Sequence, residues 1–179
     1  MNSRPVIIWL VIVYLAIAAM VAVGGTVRLT GSGLSMVDWK PIAGVMPPIG
    51  DAAWQAEFEL YKQSPEFQKV NPWMGLDAFK RIFFWEYLHR ILGRLLGVLF
   101  ALPWIVFVVS GRLRGKAAVK TSIAFLLGGL QGLLGWYMVR SGLVDRPSVS
   151  HLRLGAHLGL ALVVANYVLW LILEQVVSV

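Results

Sequence analysis

Two histidines lie inside long apolar stretches of this chain, and small residues follow each of them at steps of four. These are Gly93 and Gly97 after His89, and Ala161 and Ala165 after His157. Residues four apart share one face of a helix, so each helix would carry an imidazole above a flat strip. Two such helices facing each other could hold a planar macrocycle, with both imidazoles on its iron. Ionisable groups at membrane depth are costly and usually functional, so this pair is the strongest chemical indication in the sequence.

The two histidines lie at comparable depths in their apolar stretches, which is typical of bis-histidine heme ligation. A copper or zinc site is the alternative, but the sequence supplies no further ligands at usable spacing. The chain has no cysteine, which excludes disulfides, thiolate metal sites, iron–sulfur clusters and covalent heme attachment through cysteines. His151 lies six residues before His157, on another helix face, and we interpret it as an interfacial or capping residue, with ligation as the lesser alternative.

Charged residues surround the first histidine. Glu86 and His89 are three residues apart, so their side chains are neighbours on a helix. A carboxylate beside an iron ligand in a low-dielectric site is suited to proton transfer, which makes Glu86 a candidate catalytic residue. The alternative is a structural ion pair of Glu86 with Arg90, four residues later, or with Lys80.

A heme held by the two histidines would point its propionates toward the outer membrane face. Arginine suits bidentate carboxylate binding, whereas snorkelling at the interface explains any single arginine equally well. The candidate propionate and pocket residues are Arg28, Arg90, Arg94, Arg140, Arg153, Gly93, Gly97 and Ala161.

The elements that must position these residues are membrane spans. The chain has 179 residues, of which 58% are hydrophobic, and its apolar runs predict spans at about residues 5–27, 82–110, 119–139 and 152–174. Helices are the only open-chain structure that satisfies backbone groups in lipid, so we predict an all-α integral membrane four-helix bundle, a single domain over residues 1–179. The first span lacks a cleavage signature and is interpreted as a retained anchor.

The formal net charge of +7 would suggest nucleic acid in a soluble protein. Here basic residues concentrate between the second and third spans, at Arg112, Arg114, Lys116 and Lys120. The positive-inside rule places the loop of residues 111–120 and both termini in the cytoplasm, most simply of a bacterial inner membrane. No nucleic-acid partner is expected, and residues 28–80 and 140–153 are predicted to face outward.

The outer segment of residues 28–80 is too long for a structureless connection, so we expect it to fold on the bundle rather than form a solvated connector. It begins with a turn signal at Thr30-Gly31-Ser32-Gly33 and contains a helical pattern over residues 53–62. Asp77 is a candidate N-cap for a helix that begins near residue 78 and continues into the second span. The tryptophans predicted to form an interfacial belt are Trp39, Trp54, Trp73 and Trp85.

Two features of the long helices concern packing rather than chemistry. Gly128 and Gly132 form a small-x-x-x-small pattern that predicts close helix packing, and Gln131 between them predicts an interhelical hydrogen bond. Pro103 is expected to kink the second span.

Several segments of the chain closely resemble the heme A synthase family, in the proteobacterial and mitochondrial branch that lacks a loop cysteine pair. They are GGTVRLTGSGLSM at residues 24–36, WKP at 39–41, FKRI at 79–82, EYLHR at 86–90, GWYMVRSGL at 135–143, VSHLRL at 149–154 and AHL at 156–158. The resemblance extends over nearly the whole chain.

The resemblance implies an oxidoreductase that converts the C8 methyl group of heme O to a formyl group, giving heme A for cytochrome oxidase. It implies that His89 and His157 ligate the substrate heme and that Glu86 is the essential glutamate of this half. Members of this branch have eight spans, with a b-type heme in the second half, whereas four spans are predicted here. The implied partners are therefore a second copy or a separate second half, together with heme O synthase and cytochrome oxidase assembly proteins.

Two alternatives need the same histidines: a non-catalytic b-type cytochrome that relays electrons, and a heme-carrier subunit. Glu86 discriminates between them and the enzyme, because electron relay does not require this carboxylate whereas methyl oxidation has a use for it.

Overall fold

The computed structural model describes residues 4–38, 43–142 and 147–177, and all regular secondary structure in these ranges is helical. The helices are α1 (Arg4–Leu29), α2 (Asp51–Lys62), α3 (Pro65–Lys69), α4 (Leu76–Val109), α5 (Gly115–Gly142) and α6 (His151–Val177), with a short 3-10 turn at Ala43–Val45. The predicted all-α class is confirmed. Trp39, Pro41, Leu143 and Arg146 lie outside the described residues.

Four helices, α1, α4, α5 and α6, are long and apolar enough to cross a membrane. Each coincides with a predicted span and extends it at one or both ends, which confirms the four spans. A helix rises about 1.5 Å per residue, so the shortest of the four, with 26 residues, exceeds the roughly 30 Å hydrocarbon core of a bilayer.

Two predicted boundaries are wrong by a few residues. Helix α4 begins at Leu76, so Asp77 lies in its first turn rather than at the N-cap, where its charge still complements the helix dipole. Helix α5 begins at Gly115, so Lys116 and Lys120 belong to the helix and only residues 110–114 form the loop. Alanine-rich sequence after Gly115 favours helix over loop, which explains the second error.

The described residues group into two compact units. Those within 1–21, 92–134 and 155–179 form the first unit, and those within 22–91 and 135–154 form the second. Single-domain organisation stays a prediction.

The first unit has an apolar core made by all four long helices. Trp9 of α1 lies at its centre, with ring centroids 4.9 Å from Phe100 and 5.5 Å from Phe107. Pro103 lies within α4, and because proline has no N–H, the carbonyl of Leu99 loses its helical donor. The Trp9 indole donates to this oxygen at 3.0 Å, so α1 satisfies the group that the proline leaves unpaired.

The second unit has a separate aromatic core that involves α2, α3 and the start of α4. Phe58, Tyr61 and Trp54 of α2 contact the rings of Phe79 and Phe83. The predicted helix of the outer segment is therefore confirmed, and this segment folds around a core of its own. Trp54 packs in that core rather than in an interfacial belt, and Trp73 is 73% exposed.

Candidate functional site

A left-handed glycine turn ends α1 and returns the chain toward α4. Gly31 has a φ of 64°, and the amide of Ser32 donates to the carbonyl of Val27 at 3.0 Å, while that of Gly31 reaches the carbonyl of Arg28 at 3.4 Å. This is a Schellman end, which favours glycine because a side chain is strained at that φ. The turn predicted from the glycines is confirmed, and it brings residues 32–36 to α4.

The carboxylate of Glu86 receives donors on both of its oxygens. Oε2 accepts from Ser35 Oγ at 2.6 Å and from the Met36 amide at 2.9 Å. Oε1 accepts from Arg90 Nη2 at 2.5 Å, and the same guanidinium nitrogen lies 3.1 Å from the carbonyl of Met36. Glu86 is only 3% exposed. We call these four residues, Ser35, Met36, Glu86 and Arg90, the Glu86 network.

The ion pair with Arg90 is one of the two structural alternatives that the sequence left open, and the structure contains it. Lys80, the other candidate, instead lies over the ring of Trp54 at 5.5 Å. A buried carboxylate is stable when its charge is paired and its oxygens are hydrogen-bonded, as here. The network therefore ties residues 35–36 to α4, and the catalytic role of Glu86 stays a prediction.

The imidazole of His89 lies against α1. A Cβ atom built on Gly24 would lie 3.1 Å from Cε1 of His89, which is closer than a side chain normally approaches. Glycine at this position thus allows the ring to seat on the helix backbone. Gly24 was not among the predicted site residues, and its place in the GGTVRLTGSGLSM segment is the one sequence signal that could have indicated it.

His157 of α6 contacts Gln131 of α5. Gln131 Nε2 donates to the His157 carbonyl at 2.9 Å and lies 3.4 Å from the ring atom Nε2. The predicted interhelical hydrogen bond of Gln131 is therefore confirmed. Nδ1 of His157 and Oε1 of Gln131 are buried without a hydrogen-bond partner among the described residues.

The small residues that follow the histidines have different surroundings. A Cβ built on Gly97 meets nothing within 4 Å, and one on Gly93 meets only Met20, at 3.6 Å. Ala161 is half-buried, whereas Ala165 packs against the apolar core of the first unit. The strip after His89 is therefore open at Gly97 and in ordinary contact with Met20 at Gly93, and the strip after His157 ends in packing contacts.

The glycine pattern of α5 does not form a close helix crossing within the described residues. Cβ atoms built on Gly128 and Gly132 meet nothing within 4 Å, so the packing prediction is wrong here. Gly128 lies one turn before Gln131, which leaves open space beside the Gln131–His157 contact.

The candidate propionate arginines are held in different ways. Arg90 belongs to the Glu86 network. Arg140 lies 5.2 Å from the ring centre of Trp136, and Arg153 lies 4.7 Å from that of Tyr137. Arg28 is exposed in the last turn of α1, and Arg94 is half-buried in α4. Ring contacts thus orient the guanidinium groups of Arg140 and Arg153, whereas Arg90 already pairs with a carboxylate. His151 begins α6 and is exposed, as expected for an interfacial residue.

A second buried carboxyl group escaped the sequence analysis. Glu66 of α3 is 8% exposed and accepts from the Tyr61 hydroxyl at 3.1 Å, and that hydroxyl accepts from Asn71 Nδ2 at 2.9 Å. Burial raises the pKa of Glu66 to about 7, the Tyr61 hydrogen bond opposes the rise, and the charge of Glu86 adds to it. Glu66 lies in a polar stretch of the kind expected at a protein surface, so its local sequence does not predict burial.

The residues around His157 fit a flat, iron-containing ligand. Neither imidazole nitrogen of His157 is held by a strong hydrogen bond within the described residues: Nδ1 has no partner there, and Nε2 has only the long contact to Gln131, which a metal could replace. No group of three or more His, Cys, Asp or Glu side chains within residues 4–38, 43–142 and 147–177 forms a metal cluster of its own. A macrocycle that brings four of the iron ligands itself needs only the histidines.

Comparison with known proteins identifies the family of this membrane-spanning, histidine-bearing chain. Residues 7–178 match the COX15-CtaA family, described as cytochrome oxidase assembly protein. The match extends over nearly the whole chain, so the chain belongs to this family.

Individual relatives are about half identical to the chain. A Caulobacter sp. protein named heme A synthase is 50% identical over 97% of this chain and 50% of its own length. Proteins of the same name from Paramagnetospirillum magneticum and Nitrosomonas eutropha are each 51% identical, over 96% and 94% of this chain and 48% of their own lengths. The chain thus spans about half the length of the curated relatives it matches. No solved structure matches it.

Proposed function

We propose that this chain acts in heme A synthesis, in the oxidation of the C8 methyl group of heme O to a formyl group. The observation that carries the proposal is His157, a half-buried histidine of a membrane span whose ring makes only one long polar contact within the described residues. Its family and the name of its relatives agree with this activity. Because the chain spans about half of those relatives, we infer that a second half completes the enzyme.

His89 and His157 are proposed as the axial ligands of the substrate iron. This pairing comes from their depth in the predicted spans, and the surroundings of each support it separately. His89 is seated on Gly24, and His157 is contacted by Gln131. Heme O, when bound, would supply both the iron and the methyl group. Conversion of that methyl to formyl replaces two hydrogens with one oxygen, a four-electron oxidation that also requires an oxidant and an oxygen source.

Glu86 is proposed to serve the reaction, and its contacts suggest how. Ser35 Oγ, the Met36 amide and Arg90 hold the carboxylate in one orientation, one helical turn from His89. A carboxylate held this way can keep residues 35–36 beside α4, and its oxygens can accept and release a proton. The first role needs only the contacts, whereas the second needs the ionisable group.

Arg28, Arg140 and Arg153 are proposed to bind the propionates, with Arg94 as a further candidate. Each has a planar guanidinium suited to a carboxylate, and Arg140 and Arg153 are oriented by the rings of Trp136 and Tyr137. Gly93, Gly97 and Ala161 are proposed as pocket residues, since Gly97 leaves open space on α4 and Gly93 meets only the flexible side chain of Met20. Arg90 is the least suited arginine because Glu86 already pairs with it.

The proposed setting is a bacterial inner membrane with both termini cytoplasmic. Basic residues near the α4–α5 loop, Arg112, Arg114 and Lys116, support this orientation. A cysteine introduced at Gln63 should react with an impermeant reagent on intact spheroplasts. Labelling only after lysis would show that the orientation is opposite to the one proposed.

The second half, with its b-type heme, is proposed to come from a second copy or a separate chain. Heme O synthase and cytochrome oxidase assembly proteins are further proposed partners, since the first would supply the substrate and the second would receive the product. Co-purification of tagged chain with either half in mild detergent tests this association.

A non-catalytic b-type cytochrome or heme carrier is the second candidate function. The observation that favours it is the Glu86 network, in which both carboxylate oxygens already have donors within the chain. Electron relay requires the histidines and no proton-transferring carboxylate.

A comparison of the Glu86→Gln and Ser35→Ala variants distinguishes heme A synthesis from a non-catalytic cytochrome or heme carrier. Both variants weaken the network, but only the first removes the ionisable group. In cells that supply heme O and a second half, we expect E86Q to bind heme yet lower heme A by on the order of a hundredfold, and S35A to retain most of it. Heme A measured by chromatography of extracted hemes decides the matter. Near-normal heme A from E86Q would favour the structural ion pair, and no heme A from the unaltered chain would favour the cytochrome.

A further inference from the structure

The contact between Gln131 and His157 joins α5 to α6 within the first unit, and it involves the imidazole itself. We propose that Gln131 is a positioning residue: it selects the His157 tautomer whose lone pair is on Nε2, and it holds that nitrogen until a metal replaces the contact. The proposal rests on the proposed function only for the identity of the metal as heme iron.

The orientation of the Gln131 amide follows from its partner. The carbonyl oxygen of His157 can only accept a hydrogen bond, and Gln131 Nε2 lies 2.9 Å from it. With the amide reversed, two carbonyl oxygens would face each other. The nitrogen of Gln131 therefore points toward α6, and its N–H groups are the ones that the imidazole meets.

The tautomer of His157 follows from the same geometry. Gln131 Nε2 lies 3.4 Å from the ring atom Nε2, so a proton on that ring nitrogen would face an N–H donor. A neutral imidazole has one protonated nitrogen and one lone pair, and the favourable arrangement puts the lone pair on Nε2. Nδ1 has no hydrogen-bond partner among the described residues, so Gln131 is the polar contact there that distinguishes the two tautomers.

The two bonds of Gln131 differ in strength, and the difference suits a ligand exchange. The bond to the backbone at 2.9 Å has ordinary length, whereas the contact to the ring at 3.4 Å is long. Losing the ring contact to a metal therefore costs little, while the backbone bond keeps Gln131 and α6 together. Open space at Gly128, one turn away on α5, leaves room for a ligand to approach.

The tautomer can be measured on the whole protein without heme. In chain labelled with ¹⁵N-histidine and purified in detergent, variants of His89 and His151 assign the His157 signals among the three histidines. We expect His157 Nε2 to be unprotonated in the unaltered chain. Q131L should lose that preference, and Q131E, whose carboxylate accepts from an N–H, should reverse it.

N166L is the matched control, since Asn166 also donates a side-chain amide to a carbonyl of α6, that of Leu162 at 2.8 Å, on an exposed part of the helix. It should leave the His157 signals unchanged. The proposal would be overturned if Nε2 is protonated in the unaltered chain. It would also be overturned if Q131L and Q131E have the same tautomer populations as the unaltered chain. If Q131L does not fold, Q131E, which preserves the side-chain shape, still decides it.

Heme titration gives the second readout. Q131L should weaken binding of heme by roughly tenfold, as expected for a residue that positions a metal-binding histidine, and Q131E by more. Unchanged affinity in both variants would overturn the positioning role. No heme binding by the unaltered chain would instead refute the proposed function, while the ¹⁵N signals would still decide the role of Gln131.

Discussion

The carboxylate of Glu86 and the imidazole of His157 are both polar groups within long apolar helices, yet their surroundings differ. Glu86 has donors on both oxygens, one of them a guanidinium, all within the second unit. Within the described residues, His157 of the first unit has one long ring contact and one nitrogen without a hydrogen-bond partner. Buried polar groups are usually satisfied, so an exception needs an explanation.

The difference separates a group that completes the fold from one that retains binding capacity. In the Glu86 network, both carboxylate oxygens accept hydrogen bonds, and these bonds attach residues 35–36 to α4. His157 makes only a long contact on Nε2 within the described residues, so a ligand can replace that contact without breaking a strong hydrogen bond. The following predictions test this distinction.

Loss of a heme ligand should have the largest effect. H157A and H89A are each expected to abolish the low-spin heme spectrum of the purified protein, because an iron coordinated by two imidazoles loses half of its protein ligands. Difference spectroscopy and the pyridine hemochrome measure this. H151A is the control, since His151 is exposed at the start of α6 and should leave the spectrum intact. A full low-spin spectrum in either variant would show that the substituted histidine does not ligate the heme, and the contrast with Glu86 would not hold.

Breaking the Glu86 network should lower stability in addition to its effect on heme A. E86Q leaves the half-buried Arg90 without its counter-charge, and we expect a loss of about 3 kcal/mol in the free energy of unfolding. E86Q/R90M should recover part of this loss, because the uncompensated charge is gone. Chemical unfolding in detergent measures the full cycle.

The control for that cycle is E174Q, which breaks the partly exposed ion pair between Lys120 and Glu174. Such pairs contribute at most about 1 kcal/mol. Equal losses in E86Q and E174Q would show that the Glu86 network is no stronger than a surface pair, and the distinction drawn above would not hold.

Glu66 provides a comparison within the second unit, because it is buried like Glu86 but its carboxyl group accepts from the Tyr61 hydroxyl rather than from a guanidinium. Burial raises its pKa from 4.5 to about 7, so the folded state holds the proton more tightly than the unfolded state. The stability associated with the neutral carboxyl is complete below pH 4.5 and is lost as the pH rises through about 7, by about 3 kcal/mol in total.

E66Q mimics the neutral carboxyl and should remove this pH dependence. We expect the unaltered chain to unfold more readily at pH 8 than at pH 5.5, and E66Q to be equally stable at both. Hydrogen exchange of residues 58–74 reports on the local unit. If protection there is no lower at pH 8 than at pH 5.5, the raised pKa of Glu66 does not contribute to the stability of this unit.

The smallest predicted effect concerns the seat of His89. G24A places a Cβ 3.1 Å from the imidazole and should displace it by a few tenths of an ångström, lowering heme affinity by less than about tenfold. G25A adds the same methyl group to the same helix where nothing lies within 4 Å, so it controls for helix propensity. Equal affinity in G24A and G25A would mean that the backbone contact does not position the ring.

Local patterns determined much of this protein. Apolar runs of sufficient length placed all four spans, and Gly31 in its turn signal marked the end of α1. The i, i+4 spacing of Glu86 and Arg90 was enough to suggest their ion pair, and a polar side chain in an apolar helix was enough to suggest that Gln131 bonds to a neighbour. Each of these follows from helix geometry or from the cost of an unsatisfied group in lipid.

Only the tertiary structure decided which groups meet across the sequence. Ser35 and Met36 reach Glu86 about fifty positions later, and Gly24 meets His89, because the turn after α1 reverses the chain. Glu66 is buried by its aromatic neighbours although its own stretch is polar, and Gly128 stays open although its pattern predicted packing. Composition and periodicity assign a face to a residue, but the partner on that face depends on how distant helices are arranged, and that arrangement is a property of the whole fold.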